Sequence, residues 1–193
     1  SAASDVYKRQ LDEQRKMPSN RTPTTMSSPK QGERLHHSTT LSNQTHWPQR
    51  LELSQRKSFK QWKVTPENEQ ATSVCESIID HLGERHNPHI IIGASEVGKS
   101  HLLNATGQSV LRYFNGDVRI IRATEVIGAG QLPNDWQDAI ATTVLLLIDD
   151  VHVIAAHEDH AQTVGHLIDH ALNLGVHVLC TSGTPPRDWS SSR

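Results

Sequence analysis

The sequence predicts a three-layer α/β domain, with a mostly parallel sheet covered by helices on both faces and a disordered tail in front of it. Three observations carry this. The apolar run Ile90-Ile91-Ile92 leads straight into a glycine-rich loop and a helical pattern. A second apolar run, Val144-Leu145-Leu146-Leu147-Ile148, ends in two carboxylates. From residue 58 onward such runs alternate with amphipathic stretches. Parallel strands need crossover connections, and these place helices on both sheet faces, so the strands between them read as unbroken apolar runs.

Residues 1–57 offer no such pattern. Ser, Thr, Asn, Gln and Pro dominate there, and a stretch such as Met17-Pro18-Ser19-Asn20-Arg21-Thr22-Pro23 has no apolar periodicity on which a core could form. The reading is a disordered, basic Ser/Thr/Pro-rich tail. It holds ten Lys and Arg against five Asp and Glu, leaving nine against sixteen for residues 58–193 out of the chain's 19 and 21. A tail of this kind fits a solvated linker or a nucleic-acid contact. Residues 1–10 lack an initiator Met, resemble translated adapter sequence and are set aside as non-native. No run of eighteen apolar residues and no signal-peptide pattern occurs, which predicts a cytoplasmic protein without a membrane span. Cys75 and Cys180 fall inside apolar patterns, where buried thiols are expected rather than a disulfide or metal ligands.

The elements then follow in order. Residues 58–64 form an entry segment, and Pro66 can start a helix over 68–82 that places Ala71, Val74, Cys75, Ile78 and Ile79 on one face. Strand, loop and helix run from Ile90 to Tyr113. A strand over 117–121, a short helix over 136–141 and the strand over 144–148 come next. A helix over 160–174 is closed by Gly175, and a strand over 176–181 runs into Ser182-Gly183-Thr184-Pro185-Pro186.

Two motifs carry chemistry. Gly93-Ala94-Ser95-Glu96-Val97-Gly98-Lys99-Ser100 is a complete G-x-x-x-x-G-K-[ST] phosphate-binding loop, a pattern that chance yields in roughly one chain of this length in a hundred. Its glycines let backbone N–H groups turn inward around phosphates, Lys99 reaches the β- and γ-phosphates, and the Ser100 hydroxyl ligates Mg²⁺. The helix beginning at His101 adds a dipole that favours the anion. ATP and Mg²⁺ are the expected cofactors. In the second motif, Asp149 at the strand end holds Mg²⁺ and Asp150 orients the attacking water. Asp150 and Lys99 are therefore the expected catalytic residues, and Ser100 and Asp149 the expected metal ligands.

Several stretches together resemble the ATPase domain of the bacterial DnaA family, in the AAA+ class of P-loop NTPases. Phe59 with Val64, Pro66 and Asn68 resembles that family's entry segment, which helps enclose adenine. His86-Asn87-Pro88-His89 leading through Ile90-Ile91-Ile92-Gly93 to Gly98-Lys99-Ser100-His101-Leu102-Leu103 resembles its lead into the phosphate loop. Leu146-Leu147-Ile148-Asp149-Asp150-Val151 resembles its Walker B strand, and Thr181-Ser182 followed by Pro185-Pro186 its sensor 1 turn. The resemblance covers residues 58–193. It implies replication initiation or its control, nucleotide contacts at Val64, Asn68 and His101 beside the loop, and a homo-oligomer on DNA in the complete protein. Shortened DnaA-like regulators that act on the initiator, and helicase loaders or transposition helpers that act on a partner ATPase, are the alternatives.

The chain departs from the pattern in three places. Gly183 stands where the family usually has an aspartate sensing the γ-phosphate side, with Thr181 or Ser182 as substitutes. Residues 122–143, where the family has a helix for single-stranded DNA, are shorter and hold no Lys or Arg after Arg122. The sequence also ends before the family's arginine finger, sensor 2 lid and helix-turn-helix. The implied sheet order then leaves residues 90–92 as an apolar edge, and the expectation is an aggregation-prone chain with negligible ATPase. Histidines crowd the region after Asp150: His152, His157, His160, His166 and His170 fit surface or capping roles or a metal site, although His157-Glu158-Asp159-His160 is not H-E-x-x-H. Trp47 and Trp62 read as packing or linker residues rather than base-stacking platforms. Trp136 has no assigned place.

Overall fold

The computed structural model describes residues 47–83, 86–129, 132–133 and 135–191. The predicted tail therefore lies outside the described residues as far as residue 46, including the stretch 1–10. Its last part does not. Within the stretch read as tail up to residue 57, Gln49–Arg50 forms a strand, β1, and Leu51 is buried. Two exposed polar residues make this strand, so no apolar alternation announces it. Its anchors are tertiary: the buried Arg119 guanidinium donates to the Pro48 carbonyl at 2.6 Å, Arg50 pairs with Asp117 at 2.9 Å, and the Leu51 N–H donates to the Val118 carbonyl at 2.8 Å.

Beyond a 3₁₀ turn at Phe59–Gln61, the elements are α1 (Glu69–Asp80), β2 (His89–Ile92), α2 (Lys99–Tyr113), β3 (Asp117–Arg122), α3 (Ala123–Gly128), α4 (Trp136–Ala141), β4 (Thr143–Asp149), α5 (Val151–Ala155), α6 (Glu158–Asn173) and β5 (His177–Ser182). A second 3₁₀ turn covers Pro186–Ser191. The sheet order is β1-β3-β4-β5-β2, parallel except for β1, which runs antiparallel to β3. Among the described residues β2 is thus an edge strand, as the implied order requires, with Ile92 half exposed.

The unbroken apolar runs explain the layers. In β4, Leu146 and Ile148 face a core completed by α3 to α6, whereas Leu145 and Leu147 face a core completed by α1 and α2. The period of two divides every inner strand this way: Ile121 against Val118 and Ile120, and Val178 with Cys180 against Leu179. A strand buried on both sides is therefore apolar on both faces, as in the central run of β4, and a polar residue within one, such as Arg119 in β3, is paired. The predicted faces hold. Cys75 and Ile78 of α1 are buried, Trp136 lies in the α3 to α6 core, and both cysteines are free and buried, with burial pushing their thiols up to about 11 at Cys75 and about 12 at Cys180. Gly175, at φ 75°, closes α6 by donating to the Leu172 carbonyl at 3.0 Å. Pro66 lies in the turn before α1 rather than at its first position, and α3 and α5 are additional short helices. No described helix is long and apolar enough to cross a membrane.

Candidate functional site

All four parallel strands end, at their C-termini, on one side of the sheet, and the two motifs meet there. The phosphate loop joins β2 to α2. Gly98 immediately precedes the helix at φ 97°, a conformation that favours glycine, and Glu96 is also left-handed at φ 65°. Ala94, Ser95, Glu96 and Val97 are exposed, while Gly93 and Gly98 are partly covered. Lys99 is nearly buried and donates its ammonium to the Ala94 carbonyl at 2.8 Å, so the cation already lies inside its own loop.

The paired acids sit across from it. Asp149 Oδ1 accepts the Ser100 hydroxyl at 2.9 Å and the Thr181 hydroxyl at 2.6 Å. Thr181 Oγ1 in turn accepts the Asp150 N–H at 2.9 Å. One network therefore ties the loop helix, the β4 end and the β5 end together. Ser100 is steadied from its other side, its carbonyl accepting from Asn104 Nδ2 at 2.6 Å. Asp150 adopts φ 57° and ψ 49°, a left-handed seat that turns the chain from β4 into α5. The donor set suits a hard divalent cation: a hydroxyl and a carboxylate oxygen 2.9 Å apart at a strand end match the all-oxygen preference of Mg²⁺.

The entry segment reaches this site by a residue that the sequence reading assigned to packing. The Trp62 indole lies so close to the loop that a Cβ on Gly98 would come within 2.8 Å of it. Trp62 also tilts against His101, ring centroids 5.5 Å apart, and donates its Nε1–H to Thr72 at 2.9 Å. His101 Nε2 lies 3.2 Å from the Ser58 carbonyl, so this expected nucleotide contact is engaged with the entry segment. Asn68 closes its own turn: Oδ1 accepts the Thr65 N–H at 2.9 Å and Nδ2 donates to the Lys63 carbonyl at 3.0 Å. Val64 beside it is exposed. No sequence signal links Trp62 to the phosphate loop, because only the tertiary path of residues 58–62 brings the two together.

The histidines after Asp150 separate. His152 Nδ1 accepts the Gly183 N–H at 3.1 Å, His157 and His160 face one another at 6.3 Å, and His170 packs edge-on against Trp136 at 5.4 Å. Among the described residues no three His, Cys, Asp or Glu side chains are grouped to hold a metal ion. Arg122, the last cation of its stretch, pairs with Glu125 at 2.8 Å.

A parallel sheet with helices on both faces, and a phosphate loop meeting a paired-acid strand end at its C-terminal side, defines a P-loop NTPase domain of the AAA+ type. The family model for the bacterial DnaA ATPase domain matches residues 53–191, and the chain belongs to that family. Among relatives, the chromosomal replication initiator protein DnaA of Thermomicrobium roseum is 30% identical over 145 residues, covering 70% of this chain and 30% of that protein. The chain thus spans about a third of the length of the curated relatives it matches. AMPPCP-bound DnaA from Aquifex aeolicus has the same fold at TM-score 0.65 and 22% identity, covering 73% of this chain and 46% of that one. The structure described as DnaI follows at TM-score 0.60 and 17% identity, covering 71% and 77%.

Proposed function

We propose that this chain is the nucleotide switch of a replication initiator of the DnaA family, binding ATP with Mg²⁺ and acting in the initiation of chromosome replication or its control. The observation that carries the reading is the convergence of Ser100 and Thr181 on one Asp149 oxygen, directly across from the loop that holds Lys99. Lys99 exchanges the Ala94 carbonyl for phosphate oxygens, a trade of a neutral acceptor for a charged one. Ser100 and Asp149 would hold Mg²⁺, which neutralises phosphate charge when bound. Asp150, set by its left-handed backbone and the Thr181 bond to its N–H, orients the attacking water. Trp62 lies against the loop, and Val64 and Asn68 of the same entry segment are assigned to the base by resemblance to the family.

Assembly as a homo-oligomer on DNA, with a helicase or initiator partner, belongs to the complete protein in this reading. Its DNA contact is not assigned to residues 122–143, where Arg122 is paired with Glu125 and no other Lys or Arg follows. Isothermal titration tests the nucleotide site. Lys99→Ala should weaken ATP binding by about a hundredfold or more, the scale of two or more charge-assisted hydrogen bonds. Equal ATP affinity in the parent chain and Lys99→Ala would remove the phosphate-loop assignment.

A further inference from the structure

Gly183 poses a question that its backbone does not answer. Its φ is not in the positive range that favours glycine, so nothing in the chain's path forbids a side chain there. Space does. A Cβ at Gly183 would lie 2.8 Å from His152 Nε2, 3.2 Å from Cε1 and 3.5 Å from Cδ2. Moving the imidazole aside breaks the bond that its Nδ1 accepts from the Gly183 N–H at 3.1 Å. That bond fixes the tautomer as well: an accepting Nδ1 puts the ring proton on Nε2. The ring of one residue therefore stands where the side chain of the other would be, held there by the other's backbone.

The position of this pair gives it a role. His152 lies on α5, two residues after Asp150, and Gly183 follows directly on β5, two residues after Thr181. Thr181 bonds both Asp149 and the Asp150 N–H, and the carbonyl of Ser182, the residue next to Gly183, accepts the N–H of Gly93, the first residue of the phosphate loop, at 3.2 Å. The turn that His152 grips is thus hydrogen-bonded to the loop on one side and to the acid pair on the other. In phosphate-loop sites the terminal phosphate of a nucleoside triphosphate falls between the loop lysine and the acid-bearing strand end, whereas a diphosphate leaves that space to water.

We infer that His152 and Gly183 form one functional unit, in which the imidazole replaces a side chain at position 183 and positions the β5 turn for the terminal phosphate of a nucleoside triphosphate. His152 is a positioning residue: it acts through the Gly183 turn. This rests on the nucleotide reading above, and it predicts discrimination between triphosphate and diphosphate rather than overall affinity. His152→Ala frees the Gly183 N–H and lets the turn drift. Gly183→Ala drives a methyl group into the ring and displaces the turn from the other side. Combined, the two changes remove the clash that makes Gly183→Ala harmful.

The experiment is a double-mutant cycle on the full 193-residue chain, titrated with Mg-ATP and Mg-ADP and followed in parallel by thermal unfolding. Gly183→Ala should lower the ATP-to-ADP affinity ratio about tenfold, and His152→Ala/Gly183→Ala should fall no lower than His152→Ala alone, the non-additivity expected of residues in direct contact. His152→Asn, whose amide oxygen can still accept the Gly183 N–H, should stay nearer the parent ratio than His152→Ala. Multiplicative effects in the double variant, or an ATP-to-ADP ratio unmoved by His152→Ala and Gly183→Ala alike, overturn the unit. A parent chain that binds neither nucleotide overturns the reading beneath it instead, and additive melting temperatures in the same four chains would then overturn the pairing as well.

Discussion

The two ends of β2 and β5 do opposite things with the same kind of buried polarity. At the C-terminal end, Lys99, Ser100, Asp149 and Thr181 keep charge and hydroxyls gathered beside an exposed loop. At the N-terminal end, His89 and His177 lie with nearly parallel rings 5.4 Å apart, and the hydrogen bonds around them fasten a connection. His177 Nδ1 accepts the Gly83 N–H at 3.2 Å and its Nε2 meets His89 Nδ1 at 3.2 Å. Asn87 clips the same connection to β5, accepting from the Val178 N–H and donating to the Val176 carbonyl, both at 2.8 Å. Burial holds His177 neutral, its pKa pushed down to about 4, with His89 lowered too. One end therefore stays open to exchange its partners for a ligand's. At the other end His177, His89 and Asn87 bond to one another or to backbone groups.

The largest effect that separates the ends should come from Asp150→Asn. In any preparation that hydrolyses ATP, turnover should fall about a hundredfold or more, the usual contribution of a positioned acid or base, while Mg-ATP affinity stays within about threefold. Undiminished phosphate release from that variant would show that Asp150 does not orient the water. The N-terminal end breaks differently, by acid. The neutral form of His177 is favoured in the fold, so its contribution is complete above the unfolded value of 6.5 and is lost as pH falls from there towards about 4. The gap corresponds to something on the order of 3 kcal/mol. An NMR titration of the His177 ring should find no protonation until well below pH 6. A midpoint near 6.5 would mean that the fastened end is as open to water as the other.

Two glycines sharpen the contrast away from both ends. Gly107 of α2 faces the core, where a Cβ would come within 2.6 Å of Leu51 and 2.7 Å of Leu147. Gly107→Ala should cost about 1–3 kcal/mol by overpacking, read as a lower urea midpoint at unchanged slope. Gly165 of α6 has nothing within 4 Å of its would-be Cβ. Gly165→Ala should add about 0.5–1 kcal/mol from helix propensity and lost unfolded-state entropy. A destabilised Gly165→Ala chain would contradict the described surface of α6.

Legibility in the sequence followed the range of the interactions. The phosphate loop, the acid pair and the inner strands were readable because their signals are contiguous: eight residues of loop in a row, or a run of apolar residues in a strand covered on both faces. β1 was not, since both of its residues are exposed and its anchors, Arg119 and Asp117, lie far along the chain. Short α3 and α5 hold too few turns to show a 3.6-residue period. Trp62 against Gly98, and His152 against Gly183, are contacts of shape between distant segments, which composition and spacing do not encode.

Asp150 carries a consequence for anyone redesigning this domain. An aspartate tolerates the left-handed region better than most residues, yet glycine would occupy it with less strain. A sequence chosen for thermal resistance alone would drift to glycine there, keep its sheet and melt later, while discarding the carboxylate proposed above to orient the water. On that proposal durability and turnover pull this one backbone position in opposite directions, and a screen that ranks variants by heat survival would select, at position 150, against the carboxylate.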